Sequence, residues 1–256
     1  MILANLAKAL RTQNWFAVLV EFLIVIAGVV IGFQITAWNA DRAEREIGRE
    51  YVVRLQGELE ANRDQLEYNI AYADWVRGHT IAALDALRGD PAGLDEDFIV
   101  DAYIAGHGIG VRVQADTFDE LLSTGAFQTI PDADVRQSLV RFYRIAENSE
   151  SFMIDVGQYQ SALRRAMPYD VITRLRAVCS AVFEVDEQGS TIFNIPDTCP
   201  PDLSSQEFDE AIQSLLAADL VPELRESLAL IEVKTVAFLR VGSAAADALA
   251  ALERLE

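Results

Sequence analysis

The chain reads as a mainly α-helical protein: one N-terminal transmembrane helix continuing into a helical bundle that carries one small, disulfide-flanked β-hairpin. Three observations predict this. A run of apolar residues between Trp15 and Trp38 is long enough to cross a bilayer, the rest of the chain repeats its apolar residues at spacings of three and four, and few segments alternate with period two. The organisation that follows is a short interfacial amphipathic segment over residues 1–13, a transmembrane helix over 14–38 and one acidic helical domain over 39–256.

In the first thirteen residues Ile2, Leu3, Leu6 and Leu10 share one side while Lys8 and Arg11 lie elsewhere, which suits a helix lying in the membrane interface. The following run spans about 33 Å at 1.5 Å per residue, matching a bilayer core. Trp15 and Trp38 stand at its two ends, where an aromatic belt anchors a span. A buried core helix seldom needs so many consecutive apolar residues, and the apolar region of a signal peptide is shorter. Inside the run, turning the helix by 100° per residue brings Asn14, Glu21, Gly28, Gly32 and Asn39 within about 20° of one line. Glycines four apart let a second helix backbone come close, and a carboxyl within an apolar region needs a partner. This face is therefore the candidate helix–helix interface, to the chain's own copy or to another membrane protein. The alternative is a carboxylate that snorkels to the headgroups beside glycines with no role.

Orientation follows from two opposed signals. Lys8 and Arg11 precede the span, whereas Arg42, Arg45, Arg49 and Arg54 follow it interleaved with Asp41, Glu44, Glu46 and Glu50. Long domains translocate with little regard to charge, and a cysteine pair favours an oxidising compartment. The expectation is a bacterial inner (cytoplasmic) membrane protein with its N-terminus cytoplasmic and its C-terminal domain periplasmic.

Beyond the span, Ile47, Tyr51, Leu55, Leu59, Leu66, Ile70, Val76, Ile81 and Leu84 predict a long helix, or two in line, ended by Gly89-Asp90-Pro91. A short helix over about 94–104 leads to Gly106-His107-Gly108-Ile109-Gly110, which lacks the Lys-Ser/Thr ending of a phosphate loop and reads as a connector with a loop histidine. Thr117-Phe118-Asp119-Glu120 has the form of a capping box and opens a helix that closes at Gly125. Asp132 caps a helix expected to run to about Met167, before Pro168, and another covers about 169–178. Ala181 to Val185 and Thr191 to Ile195 flank a turn-like segment, so a hairpin would bring Cys179 and Cys199 together as a disulfide, the alternative being two separate buried thiols. Ser204 and Ser205 cap a helix to about Leu216, and Pro222 opens a last long helix to about Leu255.

Charge and inventory narrow the function. Of 21 basic and 40 acidic residues, Lys8, Arg11 and Glu21 belong to the N-terminal 38, leaving 19 against 39 on the domain. A surface this negative repels phosphate backbones, so no nucleic acid partner is expected. With two histidines, no HExxH and no nucleophile elbow, the usual parts of nucleophilic and zinc chemistry are missing, and neither catalytic residues, cofactor nor metal is expected.

Two stretches resemble a bacterial family of single-pass membrane proteins classed as a domain of unknown function. One is Asn14-Trp15 through Glu21-Phe22-Leu23-Ile24-Val25, Gly28-Val29, Ile31-Gly32 and Gln34 to Trp38-Asn39. The other is Thr117-Phe118-Asp119-Glu120-Leu121, Ser123-Thr124-Gly125, Ile130, Asp132, Val135-Arg136, Leu139 and Phe142-Tyr143. The resemblance implies a membrane anchor and carries no activity. The reading that results is a non-enzymatic, membrane-anchored interaction subunit whose partners are the lipid bilayer and another transmembrane helix, in a homo-oligomer or a larger complex. An extracytoplasmic ligand sensor acting through a partner is the second reading.

Overall fold

The structure, a computed structural model, describes residues 15–179, 182–185, 191–196 and 199–255. The interfacial segment 1–13 and Asn14 lie outside the described residues. Helix α1 runs unbroken from Trp15 to Ala86, 72 residues or about 108 Å. The two-helix alternative beyond Trp38 is thereby excluded. Residues 39–47 are exposed all round, and the first packed position is Gly48, whose missing Cβ leaves room for the backbone of Thr129. The domain thus begins about ten residues, or about 15 Å, beyond Trp38.

From there one side of α1 is buried at alternating spacings of three and four: Val52, Leu55, Leu59, Asn62, Leu66, Asn69, Ala73, Val76, Thr80 and Ala83. This is the seam of a helix packed lengthwise on another. Its main partner is α8 (Val221–Leu252), which buries Leu224, Ile231, Lys234, Phe238, Val241, Ala245, Ala248 and Leu252 in the same rhythm. Pro222 stands in the first turn of α8, where its missing N–H costs nothing. The alanines toward the end of α8 keep the two backbones close.

Around this pair stand α2 (Glu96–Ala105), α3 (Asp116–Thr124), α4 (Ala133–Ile154), α5 (Tyr159–Ala166), α6 (Tyr169–Cys179) and α7 (Ser205–Ala217). Asp95 caps α2, Asp132 caps α4, and Ser204 forms a capping box with Glu207 on α7. Gly125 closes α3 in the left-handed region at φ 76°. α8 packs along both α1 and α4, and α2 lies against α1.

Two expectations are corrected. The helix from Asp132 stops at Ile154, and α5 begins only at Tyr159. The break falls where Gly110 packs against the backbone at Met153 and Gly157 sits under Leu230 of α8, so the chain turns to fit its neighbours. The capping box at Thr117 does not form either: no side chain of α3 caps its own start, for a reason given below.

Cys179 and Cys199 form a disulfide with Cα atoms 5.0 Å apart. Between them two four-residue strands, β1 (Val182–Val185) and β2 (Thr191–Asn194), pair antiparallel with Phe183 opposite Phe193. The connecting residues 186–190 lie outside the described residues, so the described fold is mainly helical and contains no closed hairpin.

Two helices are long and apolar enough to cross a membrane, α1 and α8. They differ in surroundings. None of the most apolar stretch of α1 is buried, whereas half of that of α8 is, against α1 and α4. A core helix explains the second; nothing in the fold covers the first.

Candidate functional sites on the long helix

Trp15 opens α1, and Glu21, Gly28, Gly32, Trp38 and Asn39 follow on the same continuous helix, exposed. A Cβ added at Gly28 or Gly32 would meet nothing within 4 Å. At 100° per residue the line Glu21-Gly28-Gly32-Asn39 points about 140–180° away from Val52, Leu55, Leu59, Asn62 and Leu66, where the domain first grips the helix. The same line continues through exposed Val53, Gly57 and Ala61. The domain is therefore bound to the back of the helix that carries the stripe, and the stripe's own side stays open from Glu21 to about Ala61. Sequence spacing identified the stripe; its relation to the core required the continuity of the helix.

A second constellation was not foreseen. Glu58 of α1 accepts the backbone N–H of Thr117 at 2.6 Å and the hydroxyl of Tyr143, while Glu120 accepts from Tyr51 at 2.9 Å and from Arg54 at 3.1 Å. Asn62, 3% exposed, binds the backbone of Gln114 twice, donating at 2.8 Å and accepting at 2.7 Å. The start of α3 is thus capped from another helix by Glu58, which frees Glu120 to bind α1. Arg54 and then Tyr51 hold the Glu120 carboxyl down at about 2. Phe118 stacks on Tyr143 with ring centroids 4.0 Å apart. Both rings line an open groove of about 680 Å³ between α3, α4 and residues 112–115. Together these contacts clasp the first turns of the domain onto α1.

Further along, both histidines enter one aromatic cluster. Tyr68, Tyr72, Trp75 and His79 recur at helical spacing on α1, a periodicity that could have revealed it. Tyr72 Oη lies 2.8 Å from His107 Nδ1, Tyr103 meets the His107 ring edge-on, and His79 Nδ1 lies 2.6 Å from Asp101. His107 is therefore a docked residue of its loop: burial, with His79 nearby, lowers its pKa to about 4. Burial raises the Tyr72 phenol.

Among the described residues no group of three or more His, Cys, Asp or Glu gathers as a metal site. Comparison of the chain with protein-family models, curated proteins and solved structures finds no match.

Proposed function

We propose that the chain is a non-enzymatic, single-pass interaction subunit of a bacterial inner membrane, N-terminus cytoplasmic, presenting its acidic, disulfide-bonded helical domain in the periplasm. It pairs through the Glu21-Gly28-Gly32 face with another transmembrane helix, a second copy or another protein's. The observation that carries this reading is the open side of α1: the stripe lies opposite the core, and the domain leaves it free over the full apolar stretch. A helix meant only as an anchor needs neither glycines aligned on one line nor a carboxyl among them. The resemblance of the same segment to a single-pass membrane family agrees with it. Gly28→Ile and Glu21→Leu test the reading. Each is expected to weaken association in membranes, read by crosslinking or co-purification, with the fold of the domain unchanged; equal association in both variants rules the interface out.

One observation favours the second reading, a ligand sensor acting through a partner. The 680 Å³ groove is lined by Phe118 and Tyr143, and Tyr143 also bonds Glu58 on the helix that leads to the membrane. A ligand seated there would act on the clasp directly.

A further inference from the structure

Lys234 occupies a core position of α8 and is 5% exposed. Its ammonium donates to the carbonyl of Ile109 and forms no ion pair among the described residues. Asp155, exposed at the end of α4, acts on it only at longer range. An ammonium carries three N–H donors, so two remain. A charge buried without a counterion is unfavourable, and burial lowers the pKa of this lysine accordingly.

Lys234 lines a cavity of about 40 Å³ together with His107, Gln160, Ser227 and the glycine-rich connector, which includes the Ile109 that its ammonium binds. That volume suits about one water-sized occupant. Three of the lining residues, Lys234, Gln160 and Ser227, carry N–H or O–H donors. His107 lines the cavity as well, its Nδ1 engaged by the Tyr72 hydroxyl 2.8 Å away. The lining also includes Asp155, an exposed residue that forms no ion pair with Lys234.

We propose that this cavity is a binding site for a small inorganic monoanion of chloride's size, held as the counterion of Lys234. Phosphate and sulfate are too large and too highly charged for it. Among the described residues Lys234 is the one buried cation, which sets this site apart in an acidic chain. The anion joins α8, the connector and the loop after α4, and through His107 and Tyr72 it reaches α1. The site stands apart from membrane pairing, since none of its residues lies on the stripe.

The test is the thermal midpoint of the full chain in detergent, titrated with sodium chloride against sodium gluconate at constant ionic strength and pH 7. Chloride is expected to raise the midpoint saturably and gluconate not to. Lys234→Met removes the chloride dependence. Gln160→Met, at the cavity wall, weakens the apparent chloride affinity at least tenfold and keeps the site testable if Lys234→Met does not fold. Equal midpoints in chloride and gluconate, the result for a cavity that holds water alone, overturn the proposal, as does a chloride response that survives both substitutions. Association through α1, measured on the same samples, is unaffected in either case.

Discussion

Glu58 and Glu120 show how one carboxylate can take a role that sequence assigns to another. Within Thr117-Phe118-Asp119-Glu120, local spacing predicts that Glu120 folds back onto its own helix start. In the structure Glu58 meets the Thr117 N–H at 2.6 Å, so Glu120 turns to Tyr51 and Arg54. A residue 59 positions away is invisible to a local pattern, which is why the helix was legible and its cap was not. Glu58→Ala leaves a backbone donor and the Tyr143 hydroxyl without their partner and should cost about 2–4 kcal/mol in chemical denaturation. His107 gives a pH signature. Its pKa of about 4 lies below the ordinary 6.5, so the folded chain prefers the neutral ring. That contribution is present above about pH 6.5 and is lost as pH falls toward 4, a change on the order of 3 kcal/mol. The thermal midpoint should fall across this window, and His107→Gln should flatten that fall.

At the scale of elements, α1 carries most of what the sequence made readable. The apolar run, its tryptophan ends, the aligned stripe and the long amphipathic continuation all rest on periodicity, and periodicity survives into the structure because the helix is unbroken. What periodicity could not supply was which residues stop a helix for tertiary reasons. Val156-Gly157-Gln158 carries only a weak breaker, and α4 ends there because the 106–110 connector and Leu230 occupy its path. Similarly, Gly48 is a poor helix former by propensity alone, yet it is the point where α1 first touches the domain. Gly48→Val drives a side chain into the backbone at Thr129 and should destabilise the domain by about 1–3 kcal/mol through overpacking. Gly57→Ala, on the open side, should be neutral or slightly stabilising. Denaturation midpoints of the pair separate a packing glycine from a merely tolerated one.

On the scale of the whole molecule, the domain and the apolar stretch share one rod about 108 Å long but use opposite sides of it. The domain grips the side of Leu55 and Leu66, and the clasp of Glu58, Asn62 and Glu120 fixes the rotation of the helix relative to α3. Rotation of the stripe is thereby tied to the orientation of an acidic body that begins about 15 Å beyond Trp38. In the membrane-anchored function proposed above, that distance keeps a domain with 39 acidic residues away from anionic headgroups. The disulfide closes a 20-residue excursion at the other end of α6 and takes no part in this geometry. Charge and composition therefore bound the function from the sequence, while the back-to-back relation of stripe and core came only from the fold.

The most direct test of that relation uses single cysteines introduced around α1 in membranes, the native pair being already bonded. Gly28→Cys and Gly32→Cys are expected to give oxidative crosslinks to a second copy, or to a partner bearing a thiol, while Leu23→Cys and Val30→Cys on the opposite side give none. Crosslinking equal at all four positions, or strongest at Leu23 and Val30, contradicts pairing through the open face.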